Sequence, residues 1–139
     1  MIVDASVLLR AFFPDESQVH AQEIIREHVA KRIQLKAPQL LIYEFSNAVW
    51  QAERRARITR DQAGEIIQAI TGLEIELIAQ SWGDMLPLAR QFNLRAYDAA
   101  YLTLAKQTGE PLITGDERLL NAAGGKSTGL IWIEDYRPN

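Results

Sequence analysis

The sequence contains no cysteine among its 139 residues and only two histidines. Disulfides, thiolate metal sites and cysteine nucleophiles are therefore excluded. Its longest apolar runs are far shorter than the roughly 20 residues that a membrane-spanning helix needs. The first residues also lack the basic start of a signal peptide. From these absences we expect a cytoplasmic protein with no membrane association.

Excess positive charge is also missing, since the formal net charge is −3. A surface for nucleic acid would therefore have to be local rather than spread over the whole molecule. Hydrophobic residues make up 47% of the chain and charged residues 24%, which is typical of soluble globular proteins. The length predicts one domain, residues 1–139, with a core of its own.

Short apolar strands alternate with helical segments along the chain. The predicted strands are "MIV", "IQLKAP", "IELIA", "PLIT" and "GLIWI". They are apolar on both faces, which predicts an α/β fold in which a mostly parallel sheet is sandwiched between helices. Ligands bind such sheets outside the carboxyl ends of the strands, so that edge is where we expect chemistry.

Four acidic residues are placed near this edge. Asp4 ends the first strand, and Asp116 follows the strand "PLIT" after a single glycine. Asp98 lies in the first turn of the helix "RAYDAAYLTLAKQ", and Glu44 lies near the start of a helix among apolar neighbours. We therefore expect these four carboxylates to lie together.

Helix capping is the alternative explanation for the three aspartates. Asp is a preferred N-cap residue and is stabilised by the positive end of the helix dipole. Asp98 and Asp116 suit that role, whereas Ser6 is better placed than Asp4 to cap the first helix. Glu44 is harder to explain in this way, because Glu is almost never buried without a partner.

The helix of Asp98 is apolar nearly all round, with Tyr97, Tyr101 and Leu104 on one face. Such a helix should be buried. No basic residue lies three or four positions after Asp98, and Arg95 lies before the helix begins.

Clustered carboxylates repel one another unless a cation lies between them. Mg²⁺ and Mn²⁺ prefer oxygen ligands, and such ions activate water in phosphodiester hydrolysis. Histidine offers no alternative metal site, because we expect His20 and His28 on the solvated side of an amphipathic helix. The residues therefore favour a divalent metal site.

Four motifs in series resemble the PIN-domain ribonucleases, and more narrowly the VapC-type toxins of prokaryotic toxin–antitoxin pairs. The motifs are "VDASVLL", "YEFSNAVW", "YDAAYLTLA" and "LITGDERLL". The resemblance implies a single-domain α/β/α sandwich with a five-stranded parallel sheet. It assigns catalysis and metal binding to four acidic residues and a supporting role to two hydroxyl residues: Asp4, Glu44, Asp98 and Asp116, with Ser6 and Thr114.

The same resemblance implies a Mg²⁺- or Mn²⁺-dependent endoribonuclease that cleaves single-stranded or loop RNA. Proteins of this kind are usually homodimers, neutralised by a cognate antitoxin that often places a basic residue in the acidic pocket. One departure concerns the turn after Asp116. Many relatives have a further acidic residue there, whereas this chain has Arg118, Leu119 and Leu120.

The densest basic cluster comprises Arg54, Arg55 and Arg57, followed by Arg60. It is either a solvated helix end, where cations suit the dipole, or an RNA contact. Trp50 and Trp82 belong either to the core or to a dimer contact.

Two further functions remain open at this point. One is a PIN-type nuclease outside the toxin class, acting on DNA or on other RNA through the same metal site. The other is a non-catalytic binding module whose carboxylates serve only as caps. Metal titration and matched RNA and DNA substrates distinguish these possibilities.

Overall fold

A computed structural model describes residues 1–16, 18–125 and 129–139. Five strands run in chain order: β1 (Ile2–Val3), β2 (Lys36–Pro38), β3 (Glu76–Ile78), β4 (Leu112–Thr114) and β5 (Leu130–Trp132). The α-helices of the described residues are α1 (Ala5–Phe12), α2 (Val19–Val29), α3 (Leu40–Arg54), α4 (Arg60–Gly72), α5 (Leu86–Phe92), α6 (Ala96–Thr108) and α7 (Glu117–Ala123).

The strands form one parallel sheet in the order β3-β2-β1-β4-β5. The chain therefore builds the sheet outward from β1 to β3 and then returns to place β4 on the other side of β1. That reversal creates a crevice at the carboxyl ends of β1 and β4, where parallel sheets bind their ligands.

Both faces of the sheet are covered by helices. Ile2 and Val3 are consecutive in β1 and both fully buried, although neighbouring strand residues point to opposite faces. On the sheet, α6 packs across β1, β2 and β4, whereas α1 contacts β4 and α3 contacts β2. The sequence prediction of a helix-covered parallel sheet is confirmed. In the described part of the chain, no helix is sufficiently long and apolar to cross a membrane.

The apolar run "VLLRAFF" predicts a first helix that starts at Val7, whereas α1 begins two residues earlier, at Ala5, and Asp4 caps it instead of Ser6. The Asp4 carboxylate accepts a hydrogen bond from the Ser6 backbone N–H at 2.9 Å. The expectation that Ser6 is the better cap is therefore wrong, because the bend after β1 points the Asp4 side chain back over the free N–H groups.

The expectation of a solvated His28 is also wrong. In α2 its ring is buried between two chain segments, with Nε2 at 2.6 Å from the Leu73 carbonyl and Nδ1 accepting from the Leu35 N–H. The Nδ1 atom of His20 is buried as well. The stretch "SQVHAQEIIREHVAKR" predicts that this helix starts at Ser17, which lies outside the described residues.

Helix α6 is buried continuously from Ala99 to Ala105, as its apolar composition predicts. Tyr97 is the exception, because it lies in the first turn and is exposed. Asp98 is the third residue of α6, and Arg95 occupies the N-cap position without a capping side chain. Asp98 is therefore not the N-cap of its helix.

Candidate active site

Asp4 is the most buried of the four carboxylates, with 6% of the residue exposed. Its Oδ1 accepts hydrogen bonds from the Ser6 N–H and hydroxyl, and its Oδ2 accepts one from the Thr114 hydroxyl. Burial nevertheless outweighs these donors and raises the pKa of Asp4 to about 6. A carboxylate held in this way lacks the positive charge that would stabilise its ionised form.

Ser6 and Thr114 connect Asp4 to the turn that carries Asp116. The Ser6 Oγ accepts from the Gly115 N–H at 2.8 Å, and the Thr114 Oγ1 accepts from the Asp116 N–H at 3.0 Å. These contacts are possible because β1 and β4 are neighbours in register, with Val3 opposite Ile113. The two hydroxyls therefore fix the relative positions of the two aspartates.

Tyr101 contacts Glu44 and lies three residues after Asp98 on α6. Its hydroxyl donates a 2.6 Å hydrogen bond to the Glu44 Oε1. Burial raises the pKa of Tyr101, and the charges of Glu44, Asp4 and Asp98 raise it further. The charges of three carboxylates therefore act on one buried phenol.

Burial also raises the pKa of Glu44, and the charge of Asp98 adds to the increase, while the Tyr101 hydrogen bond opposes it. The structure thus brings Asp4, Glu44 and Asp98 to the same end of the sheet. Asp116 joins them through Thr114.

Two of the carboxylates have arginine partners that the sequence spacing did not indicate. The Arg95 Nε lies 3.7 Å from the Asp98 Oδ2, and an Arg118 terminal nitrogen lies 3.4 Å from the Asp116 Oδ2. Both guanidinium groups are well exposed, so these ion pairs contribute little free energy. Asp116 also caps α7 by accepting from the Arg118 N–H, so the capping interpretation holds for its Oδ1.

The donor set suits a hard divalent cation. It consists of oxygen atoms alone, and in the described part of the chain neither Asp4 nor Glu44 forms an ion pair with a basic side chain. Among the described residues, no three His, Asp or Glu side chains are close enough together to hold a metal ion as they stand. Mg²⁺ commonly uses few carboxylates and keeps several waters, so an open arrangement of this kind fits it.

In the described part of the chain, the basic cluster forms no ion pair with the four carboxylates. Arg54 is ten residues after Glu44 on α3 and therefore about 15 Å along the helix axis. Arg57 makes ion pairs with Asp15 at 2.8 Å and with Glu16 at 3.5 Å. Arg54 stacks on Trp50, and Arg55 is exposed.

Comparison with known proteins decides the family. The family model described as PIN domain matches residues 1–125, which is most of the chain. The chain belongs to the PIN-domain family. Its described fold agrees with that assignment, and Asp4 and Asp116 follow the carboxyl ends of β1 and β4.

Ribonuclease VapC3 of Pyrobaculum aerophilum is 28% identical to this PIN domain over 123 residues, covering 86% of this chain and 91% of the relative. The crystal structure of PAE2754 from the same organism superposes with a TM-score of 0.72 at 28% identity, over 96% of this chain and 83% of that chain. A toxin–antitoxin complex from Klebsiella pneumoniae has the same fold, with a TM-score of 0.68 at 17% identity, over 97% of this chain and 98% of that one.

Tyr101 is a residue of the candidate site that the sequence interpretation placed only on a buried helix face. It lies three positions after Asp98, and residues at that spacing share one helix face. We expect Tyr101→Phe in this PIN domain to raise the pKa of Glu44, because the donated hydrogen bond opposes the effect of burial. The acid limb of the pH–activity profile should move to higher pH.

Apparent metal affinity should also fall about tenfold in Tyr101→Phe, as for other residues that orient a ligand. Metal titrations and activity profiles from pH 5 to 8 measure both effects. Tyr43→Phe is the matched control, because Tyr43 is exposed on α3. A Tyr101→Phe profile that superimposes on the parent profile would show that the hydrogen bond is only structural.

Proposed function

We propose that this PIN domain, residues 1–139, is a divalent-metal-dependent endoribonuclease, the toxin of a toxin–antitoxin pair in the cytoplasm. The observation that carries the proposal is Asp4. Its buried carboxylate has a pKa raised to about 6, two hydroxyl donors and no ion-pair partner among the described residues. A cation at this position would relieve the cost of burying the charge.

Asp4, Glu44, Asp98 and Asp116 would hold Mg²⁺ or Mn²⁺. When bound, such an ion activates water and stabilises the negative charge that develops on a phosphodiester. The chain's own residues orient these ligands. Ser6 and Thr114 position Asp4, and Tyr101 positions the near oxygen of Glu44.

In the described part of the chain, the Asp98 Oδ2 and the Asp116 Oδ2 each have an exposed arginine as their only polar partner. Because such ion pairs are weak, these oxygens remain available to a ligand. Single-stranded RNA is the proposed substrate, since only an extended backbone can approach the carboxylates in this crevice.

The decisive experiment incubates metal-loaded protein with RNA and DNA of the same sequence, each in linear and circular form. We expect cleavage of linear and circular RNA with Mg²⁺ or Mn²⁺ and none in EDTA. Cleavage of linear RNA alone would indicate an exonuclease, and equal cleavage of DNA would indicate a general nuclease. Absence of specific Mn²⁺ binding would indicate a non-catalytic module.

The proposed partner is a cognate antitoxin. Support comes from the Klebsiella pneumoniae structure, which is a toxin–antitoxin complex, and from the excess of negative charge among the four carboxylates. Arg54, Arg55 and Arg57 are proposed as contacts to RNA, outside the group of four carboxylates.

We expect the isolated protein to be a homodimer that uses apolar surface of α3 or of residues 81–92, which include α5. Ile42, Tyr43 and Trp50 are exposed on α3, and Trp82 is 98% exposed before α5, so neither tryptophan belongs to the monomer core. Light scattering at micromolar concentrations should give twice the chain mass. Trp50→Ser and Trp82→Ser show which surface forms the dimer interface, since only the variant at the interface should give a monomer mass. A monomer mass for the parent protein would contradict the prediction.

A further inference from the structure

Arg10 lies beside the carboxylates but is paired with none of them. It follows Ser6 by four positions on α1, so both side chains are on the same helix face. Its guanidinium carbon lies 5.6 Å from the centre of the Trp132 ring. Trp132 ends β5 and is in register with Thr114 of β4, which places the ring at the carboxyl edge of the sheet.

Gly115 provides the space for this guanidinium. A Cβ atom on Gly115 would lie 2.7 Å from a terminal nitrogen of Arg10 and 2.8 Å from its guanidinium carbon. The guanidinium is therefore held between the Trp132 ring and the backbone that joins Thr114 to Asp116. Stacking on an aromatic face in this way fixes an arginine without neutralising it.

The charge of Arg10 is unused within the described chain. No carboxylate of residues 1–16, 18–125 or 129–139 lies within ion-pair distance of it, in contrast to Arg95 and Arg118. Arg10 lines a cavity of about 390 Å³, together with the site residues Ser6 and Asp116. Glu16, Glu117 and Arg118 also border this cavity, and Arg57 contacts the Glu16 carboxylate.

We propose that this cavity between α1 and α7 is a phosphate subsite, in which Arg10 binds a backbone phosphate of the RNA adjacent to the cleaved one. Guanidinium groups match phosphate oxygens in a bidentate geometry, and stacking on Trp132 orients the group before RNA arrives. Arg10 is thus a positioning residue that directs the RNA strand across the carboxylates. The inference rests on the proposed ribonuclease function.

The first test measures binding separately from cleavage. A 5′-labelled single-stranded RNA is titrated in EDTA with the parent, Arg10→Met and Arg10→Lys, and with Arg90→Gln as control. Arg90 is exposed in the last turn of α5, and the end of that helix lies near Pro111, at the opposite edge of the sheet.

We expect Arg10→Met to weaken RNA affinity about tenfold, as for loss of a hydrogen-bonded charge. The slope of log affinity against log salt should decrease by about 0.7, the value for one contact to a single strand. Arg10→Lys should recover part of the affinity, and Arg90→Gln should match the parent. Parent-like RNA affinity and salt slope in Arg10→Met would overturn the proposal.

The second test uses kinetics with metal. Arg10→Met should raise KM and leave kcat within a few-fold, because the contacted phosphate is not the one cleaved. A fall in kcat at constant KM would overturn the subsite assignment. If the parent protein fails to cleave RNA, the ribonuclease proposal fails, while the binding result still shows whether Arg10 contacts RNA.

A double-mutant cycle with Gly115→Ala tests the geometry. The added methyl group should displace the guanidinium and weaken RNA binding in the parent background. It should weaken binding much less in the Arg10→Met background, because nothing then occupies the space. Equal losses of RNA affinity in the parent and Arg10→Met backgrounds would overturn the assignment. Thermal unfolding of each variant verifies that it is folded.

Discussion

We expect replacement of Asp4 or Asp98 by asparagine to abolish RNA cleavage and to leave the fold intact. Asparagine keeps the size of the side chain but loses the negative charge that attracts a divalent cation. At position 4 the amide oxygen can still accept from the Ser6 N–H, and the amide nitrogen can donate to the Thr114 hydroxyl. A loss of at least about a thousandfold is expected for a group that acts on the reacting centre.

Asp61→Asn is the matched control for these variants. Asp61 lies in the first turn of α4, as Asp98 does in α6, and it is exposed. Initial rates of RNA cleavage with Mn²⁺ compare the activity of these variants with that of the parent, and circular dichroism verifies that each is folded. Parent-like cleavage by Asp98→Asn or Asp4→Asn would remove the catalytic role of that residue and leave the capping role.

The second large effect is that of Asp4 on the free energy of unfolding when no metal is bound. The pKa of Asp4 rises from 3.8 to about 6 on folding, so the folded state retains a proton that the unfolded chain has lost. The free energy of unfolding therefore falls as pH rises from about 4 to 6. By linkage, the raised pKa of Asp4 lowers the free energy of unfolding at pH 7 by about 3 kcal/mol.

Asp4→Asn removes that cost, so in EDTA at pH 7 the variant should be more stable than the parent, and the difference should disappear below pH 4. Glu44 has a raised pKa as well, so a smaller fall with pH remains in the variant. A purely capping Asp4 predicts the opposite sign, a loss of about 1 kcal/mol.

Urea unfolding at half-unit pH steps measures this difference. Adding Mg²⁺ should stabilise the parent and not the variant, because a ligand that binds only the folded state raises its stability. Equal stability of parent and variant at pH 7 in EDTA would show that the carboxylate is not strained by burial.

Placement of the acidic residues was predictable from the sequence because it depends on local structure. Asp4 follows a short apolar strand, and Asp116 follows another, so a parallel sheet brings both to one edge whatever the details of packing. Burial of α6 followed equally from its composition. The apolar stretch around Glu44 also indicated that its carboxylate needs a partner.

Side-chain partners, by contrast, were decided by the tertiary structure. Thr114 donates to Asp4 across 110 positions of the chain, and Tyr101 donates to Glu44 across 57. Contacts at such separations depend on strand order and register, which no local pattern encodes. His28 is buried rather than solvated for the same reason, since its partners Leu35 and Leu73 come from other segments.

Arg10 shows the limit of the sequence most clearly. A single arginine in an apolar helix is ordinary as a sequence feature. Only the placement of β5 beside β4 brings the Trp132 ring under its guanidinium, and only the absence of a side chain at Gly115 leaves space for it. The sequence by itself therefore determined which elements form and which edge carries the acids. The tertiary structure decided which groups those acids contact, because packing between distant segments sets the distances on which hydrogen bonds and charge interactions depend.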